Sequence, residues 1–107
     1  MKDFKFMWLF VFFDLPTKTK KDRKKYTQFR TFLVKDGFVM MQFSVYARIC
    51  KGDDSVEMHK KRVRSKIPRK GHIRMISITD LQYSKMEVLI GEKSEEEKLE
   101  KKQLLLF

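Results

Sequence analysis

FKFMWLFVFFDLP, residues 4–16, contains eight consecutive apolar residues, Phe6 to Phe13, and ends them at a single acid, Asp14. Its short length and its Phe and Val content predict a β-strand. The run is too short to span a membrane, which needs about 20 residues. Successive strand residues face opposite ways. One face would carry Phe6, Trp8, Phe10 and Phe12, and the other Met7, Leu9, Val11 and Phe13. Both faces of this strand are therefore expected to be buried.

The composition is that of one globular domain with a basic surface. The chain has 107 residues, of which 42% are hydrophobic and 36% charged, and its formal net charge is +11. Residues 1–70 hold 19 Lys and Arg against 7 Asp and Glu, whereas residues 71–107 hold 6 against 7. This cationic body predicts a polyanionic partner, with a surface evolved only for solubility as the competing explanation.

The cysteine and histidine content excludes several kinds of site. Cys50 is the only cysteine, so no intramolecular disulfide can form. His59 and His72 lack the spacing of a zinc site. The first apolar run has no small-residue cleavage site, which argues against a signal peptide as well as a membrane anchor. We expect a cytoplasmic protein with no membrane partner.

The first helix is predicted between Thr19 and Gly37. Thr19 and Asp22 match a capping box, Phe29 and Leu33 follow at helical spacing, and Gly37 suits the C′ position. Six cations crowd the first turns of this helix: Lys18, Lys20, Lys21, Arg23, Lys24 and Lys25. Because the N-terminal end of a helix dipole is positive, this crowding indicates an anionic ligand.

Strand and helix patterns also follow Gly37. Alternating apolar residues predict strand structure from Phe38 to Cys50, as one long strand or as two short strands that meet near Gln42. Asp54 and Glu57 predict a second capping box at the start of another helix. His59 lies within the apolar stripe of that helix and is interpreted as a residue at its boundary.

The C-terminal third predicts strands over residues 73–79 and 86–90, with a turn at residues 79–82. The resulting order fits an α+β fold, a ferredoxin-like βαββαβ sandwich with an additional C-terminal strand. Two helices cover only one face of such a sheet, so we expect a second copy of the chain to cover the other face in a homodimer. Residues 1–91 would form this domain, and residues 92–107 a charged tail.

Asp14 is the candidate metal ligand. In the expected homodimer it ends a central strand near the twofold axis and faces its own copy. Two neighbouring carboxylates with water suit Mg²⁺ or Mn²⁺, and such an ion can polarise a phosphodiester and activate water. The sequence leaves open the alternative that Asp14 only ends the strand and hydrogen-bonds the turn at Pro16.

Four motifs occur in order along the chain. They are FFDLP at residues 12–16, a basic helix containing Asp22, Arg23, Tyr26, Phe29 and Arg30, DGFVMMQFSVYAR at residues 36–48, and ITDLQY at residues 78–83. Together they resemble CRISPR-associated protein two, the small partner of the spacer integrase, in the form found beside type II effectors. The resemblance spans roughly residues 6–90.

This resemblance implies a homodimeric, metal-dependent endoribonuclease, with some members acting on double-stranded DNA. It also implies a protein that bridges two integrase dimers and holds prespacer DNA. The metal-binding, catalytic aspartate of the family corresponds to Asp14, and Phe13 takes the place of the aromatic residue that often precedes it. Phosphate contacts are then expected from eight basic residues: Lys18, Lys20, Lys21, Arg23, Lys24, Lys66, Arg69 and Lys70.

Three functions remain open from the sequence. The first is a CRISPR adaptation scaffold that binds duplex DNA and the integrase. The second is a metal-dependent endonuclease acting on RNA or DNA, including a toxin-like ribonuclease of similar fold. The third is a non-catalytic, basic nucleic-acid-binding dimer. No general base can be named from the sequence, so we place DNA binding ahead of hydrolysis.

The tail ends in four apolar residues, Leu104, Leu105, Leu106 and Phe107. After a charged segment, such residues are expected to dock on a partner. We predict that they add a strand to the partner subunit or to the integrase by edge pairing.

A partial RNA-recognition signature occurs around the second predicted strand. Gly37, Phe38 and Phe43 match it, but Asp36 and Met40 replace its basic residue and its central aromatic residue. The signature also belongs on a third strand rather than a second. The sequence therefore argues against an RNA-recognition module.

Overall fold

The computed structural model describes residues 5–91. These residues form a four-stranded sheet with two long helices on one face. In chain order the elements are β1 (Phe6–Asp14), α1 (Lys20–Lys35), β2 (Val39–Gln42), β3 (Val45–Lys51), α2 (Gly52–Arg64), β4 (His72–Thr79) and α3 (Asp80–Ser84). The strand order is β2-β3-β1-β4, and all neighbouring strands are antiparallel. This architecture confirms the predicted α+β, ferredoxin-like fold.

β1 lies in the interior of the sheet, between β3 and β4. Its odd-numbered residues pack into the main core with α1 and α2, which contribute Phe29, Leu33, Val56 and Val63. Its even-numbered residues Trp8 and Phe10 form a second cluster with Ala47 and Tyr83 on the opposite face. Burial on both faces explains why β1 is continuously apolar rather than alternating.

The second face of β1 is covered differently from the prediction. The Tyr83 ring of α3 stacks on Trp8 with ring centroids 3.9 Å apart, and Trp8 Nε1 donates to Asp80 Oδ1 at 2.9 Å. Trp8 is 0% exposed and Phe10 is 5% exposed within one chain. The expectation that a second copy of the chain covers Trp8 and Phe10 was therefore wrong.

α3 forms where the sequence pattern predicted only a turn. Thr79 and Gln82 make a reciprocal capping box at its start, with hydrogen bonds of 3.0 and 2.8 Å between side chains and backbone amides. This cap supports a five-residue helix, and Tyr83 then packs against β1. A local cap and a long-range aromatic contact together convert the predicted turn into a helix.

The remaining part of this side of the sheet carries exposed residues. We define the open sheet face as Phe12 and Asp14 of β1 with His72, Arg74 and Ile76 of β4. Phe12 is 39% exposed and Ile76 is 52% exposed. Two large apolar side chains thus remain in contact with solvent beside the covered Trp8 cluster.

The first helix and the second strand pair follow the sequence prediction closely. Thr19 and Asp22 form the capping box of α1, and Gly37 follows its C-cap with a φ of +89°. Between Phe38 and Cys50 the chain forms two strands rather than one. They are joined by a tight turn at Phe43 and Ser44.

α2 begins earlier than predicted. Its first residue is Gly52, whose φ is +82°, and its N-cap, Lys51, makes no side-chain capping bond. The capping box predicted at Asp54 and Glu57 was therefore wrong. The left-handed conformation of Gly52 turns the chain directly from β3 into α2, so the helix starts before either residue.

No strand forms over residues 86–90, where the sequence predicted an additional C-terminal strand. These residues are irregular, and Leu89 and Ile90 are 86% and 96% exposed. An apolar segment becomes a strand only when a neighbouring strand supplies hydrogen bonds, and no strand within residues 5–91 pairs with this one. The predicted docking segment at residues 104–107 lies outside the described residues.

No helix within residues 5–91 has the length and apolar character needed to cross a membrane.

Candidate metal site and nucleic-acid interface

Asp14 lies at the end of the open sheet face, opposite a histidine. The β1–β4 register pairs Asp14 with His72, the first residue of β4, and both residues are exposed. Directly opposed antiparallel residues share a face, with Cβ atoms about 4.5–5.5 Å apart. Within residues 5–91 neither side chain forms a hydrogen bond or an ion pair, so the alternative bond from Asp14 to the turn at Pro16 is not formed.

Sequence reasoning missed His72 because 57 residues separate it from Asp14 in the chain. The only sequence signal was the predicted strand over residues 73–79, which begins one residue later. Strand register, which depends on the whole sheet, places His72 directly opposite Asp14 in the strand pair. Asp14 therefore faces a potential second metal ligand.

Gly71 holds the β4 entry against the end of β1. Its φ is +106°, a conformation that glycine adopts without steric cost. A Cβ atom at this position would lie 2.7 Å from the Asp14 carbonyl oxygen and 2.7 Å from Leu15 Cδ2. The loop before β4 can therefore approach Asp14 closely only because residue 71 lacks a side chain.

One chain offers few potential metal ligands near Asp14. Within the described part of the chain, no three His, Cys, Asp or Glu residues are grouped so that they could hold a metal ion. Mg²⁺ commonly uses one or two carboxylates and keeps several waters, and Mn²⁺ likewise prefers carboxylate and water oxygens, whereas imidazole is a more usual ligand of Zn²⁺ or Fe²⁺. The exposed Asp14 carboxylate suits a Mg²⁺ or Mn²⁺ ion only if a second copy, a phosphate or water supplies the further ligands.

A groove with basic walls runs between α1 and the loop that joins α2 to β4. Its volume is about 590 Å³, and it is lined by Leu15, Pro16, Lys21, Asp22, Lys25, Ile67, Pro68, Arg69 and Lys70. A second groove of about 540 Å³ shares Lys25, Ile67 and Pro68 with the first and also includes Lys35 and Lys66. We call these two connected grooves the basic groove. It joins cations from two distant segments of the chain.

The eight predicted phosphate-contacting residues divide into two sets. Lys21, Lys66, Arg69 and Lys70 line the basic groove. The others, Lys18, Lys20, Arg23 and Lys24, are exposed around the first turns of α1 but do not line it. Arg23 is oriented by its own loop, because its Nη1 donates to the carbonyl oxygens of Thr17 and Lys18, both at 3.1 Å.

The basic groove also contains two cations outside the predicted set, Lys25 and Lys35. Lys25 follows Lys21 by four positions, so the two share one side of α1. That spacing was available in the sequence. What the sequence did not indicate was which side of α1 would face the α2–β4 loop.

His59 belongs to a separate, partly buried polar cluster around Asp36. Its Nδ1 lies 2.7 Å from Asp36 Oδ2, and Arg62 Nη1 donates to Asp36 Oδ1 at 2.9 Å. Asp36 is the C-cap of α1, whereas Asp14 precedes its N-terminal end. A 16-residue helix is about 24 Å long, so His59 cannot act together with Asp14. It ties α1 to α2, in agreement with a structural role.

Cys50 has no features of a reactive nucleophile. Its side chain is buried, with 1% exposure. Burial raises the pKa of the Cys50 thiol, against the weaker opposing influence of Arg48. The thiol is therefore held in its protonated, unreactive form.

Comparison with known proteins places these features in a family. The family model described as CRISPR associated protein Cas2 matches residues 7–86. A CRISPR-associated endoribonuclease Cas2 of Flavobacterium psychrophilum is 43% identical over 107 residues, covering 100% of this chain and 93% of the relative. The protein of the same name from Parvibaculum lavamentivorans is 44% identical over 101 residues, covering 94% and 100%. That from Acidovorax ebreus is 42% identical over 102 residues, also covering 94% and 100%.

Proposed function

The chain belongs to the CRISPR associated protein Cas2 family, and from this premise we propose that it binds duplex prespacer DNA and bridges the spacer integrase during spacer acquisition. The basic groove carries this proposal. Lys21 and Lys25 of α1 meet Arg69 and Lys70 across it. Lysine and arginine contacts to phosphates position a duplex without reading its bases. A protein that captures spacers of any sequence needs binding of this kind.

Loss of groove charge is expected to weaken duplex binding at every sequence. In a triple variant, Lys21→Gln, Arg69→Gln and Lys70→Gln, each lost phosphate contact should reduce the slope of log affinity against log salt by about 0.9. The measurement is fluorescence anisotropy with two duplexes of unrelated sequence over a series of salt concentrations. Equal losses for both duplexes would support non-specific phosphate contact.

The matched control removes the same charge elsewhere. Lys5, Lys61 and Lys85 are exposed and do not line the basic groove. Their triple Gln variant should keep most of the affinity lost by the groove variant. If both triple variants show the same salt slope, net charge alone explains binding and the groove has no special role. The same assay with an RNA duplex tests RNA as the alternative ligand.

The functional unit is proposed to be a homodimer formed through the open sheet face. Phe12 and Ile76 leave apolar surface in solvent there, although Trp8 and Phe10 are already covered by α3. A second copy would bury the exposed pair. Asp14 lies two residues beyond Phe12 on the same face, so a twofold axis nearby would bring two carboxylates together.

Ile76→Glu is expected to convert the dimer to a folded monomer. A charge buried at the interface is unfavourable, whereas residue 76 is half exposed in one chain and tolerates the change. Light scattering over a dilution series measures the mass. Met58→Glu, on α2 and 44% exposed, is the control that should remain dimeric. A wild-type protein that is monomeric at all concentrations would contradict the proposed dimer.

A second candidate function is metal-dependent endonuclease activity, supported by the exposed Asp14–His72 pair. Relatives across most of the chain carry the name endoribonuclease. A bound Mg²⁺ or Mn²⁺ ion would polarise the phosphodiester and activate water. Asp14 would hold the ion, His72 would add a nitrogen ligand beside it, and the basic groove would hold the substrate backbone.

Contact with the integrase and a cytoplasmic location complete the proposal. Both rest on the family rather than on the described residues. Residues 104–107 remain the segment proposed to dock on the integrase or on the partner subunit. A pull-down with the integrase, with and without residues 103–107, tests that assignment.

A further inference from the structure

Phe43 is the most exposed aromatic side chain among residues 5–91, and its ring packs against a second aromatic ring, that of Tyr26. It lies in the β2–β3 turn with 80% of its surface exposed. Its ring stacks on Tyr26 of α1, with centroids 6.3 Å apart and planes 21° apart. Tyr26 in turn packs against the buried Phe13 ring at 5.7 Å. The exposed Phe43 ring is therefore connected to the core through successive ring contacts with Tyr26 and Phe13.

The turn that carries Phe43 is held in place from several sides. Ser44 has a φ of +60°, unusual for a residue with a side chain. The Phe13 amide donates to the Ser44 carbonyl oxygen at 3.1 Å, and the Tyr26 and Ser44 hydroxyl oxygens lie 3.3 Å apart. These contacts fix the orientation of the neighbouring Phe43 backbone. When a ligand stacks on this ring, the protein would therefore lose little additional conformational freedom.

Two cations lie on the same side of α1 as Tyr26, the residue on which Phe43 stacks. Arg23 precedes Tyr26 by three positions and Arg30 follows it by four, so all three share one side of the helix. The basic groove lies on a different side, lined by Lys21, Lys25 and Lys35. Phe43 also lies on the helix side of the sheet, because Tyr26 packs on Phe13 rather than on Phe12. A dimer formed through the open sheet face would not require Phe43.

We propose that Phe43, backed by Tyr26, is a stacking site for an unpaired nucleobase, with Arg23 and Arg30 contacting the adjoining phosphates. Aromatic faces bind bases of any identity, and flanking cations bind the strand backbone. A paired base inside a duplex cannot present its face to the ring, so the ligand is a single-stranded extension or a frayed end. The inference rests on the proposed nucleic-acid binding and specifies a second contact.

The test compares a blunt DNA duplex with the same duplex carrying single-stranded extensions that contain 2-aminopurine. Phe43→Ala should weaken binding of the extended duplex roughly tenfold and abolish the quenching of 2-aminopurine, with blunt-duplex affinity unchanged. Phe43→Leu, which keeps apolar volume without an aromatic face, should behave like Phe43→Ala. Phe43→Trp should restore both binding and quenching.

The outcomes separate this inference from the function on which it rests. If wild-type protein binds neither DNA, the proposed function fails and the stacking site fails with it. If it binds both and Phe43→Ala alters neither extension affinity nor quenching, only the stacking site is overturned. A change in oligomeric mass in Phe43→Ala, with extension affinity kept, would assign the ring to a protein interface and also overturn the proposal.

Discussion

Asp14→Asn is expected to abolish the proposed metal-dependent cleavage while leaving the fold of the protein unchanged. Substitution of residues that only support metal ligands typically lowers activity by about 10- to 100-fold, so loss of the proposed direct ligand should cost at least about 100-fold. The Asp14 side chain is exposed and makes no hydrogen bond within residues 5–91, so its replacement should not lower stability. Cleavage of RNA and of duplex DNA in Mg²⁺ and in Mn²⁺ measures the effect.

Binding assays make this experiment informative even if turnover is slow. Mn²⁺ binding followed by electron paramagnetic resonance should weaken in Asp14→Asn, and nitrogen coupling to the ion should disappear in His72→Gln. Asp54→Asn, at an exposed carboxylate on α2, is the matched control. Cleavage that survives Asp14→Asn at the wild-type rate would assign the activity to a contaminant or to another site. Duplex binding should survive the substitution in either case.

Trp8→Ala is expected to cause the largest loss of stability of any single substitution considered. Trp8 is 0% exposed, stacks on Tyr83 and donates a hydrogen bond to Asp80. Truncation of a buried aromatic residue to Ala costs about 3–5 kcal/mol, and small domains are stable by only about 5–15 kcal/mol. Urea unfolding followed by circular dichroism should therefore show a large fall in the free energy of unfolding.

Two comparison variants identify the source of this loss. Leu81→Ala, in the same short helix but at a 66% exposed position, should change the free energy of unfolding by less than about 0.5 kcal/mol. Trp8→Phe keeps an aromatic ring and should lose less than Trp8→Ala. A Trp8→Ala protein with wild-type stability would show that α3 is not what covers this face in solution.

The elements that could be predicted are those with a local cause. The capping box at Thr19 and Asp22 and the glycine after α1 involve neighbouring residues, so the sequence contained them in full. The continuous apolar run of β1 indicated burial on both faces. The residues that cover this run could not be predicted, because Tyr83 and Asp80 contact Trp8 although they lie more than 70 residues from it in the chain.

Two of the errors have different physical origins. The second predicted capping box was displaced because Gly52 turns the chain into α2 before the capping residues are reached. The strand predicted at residues 86–90 did not form because pattern alone cannot supply a hydrogen-bonding partner. The first error is local, because Gly52 lies only two residues before Asp54 in the chain, whereas the second depends on neighbours in space.

The sequence by itself determined the fold class, the family resemblance and the cationic first two thirds, and it predicted Asp14 as the metal ligand. Only the tertiary structure decided that His72 lies opposite Asp14, that Lys21 and Lys25 face Arg69 and Lys70, and that Phe43 stands on Tyr26. Hydrophobic periodicity and caps depend on residues close in the chain. Strand register and helix packing depend on the whole core, and they bring together groups that the sequence separates.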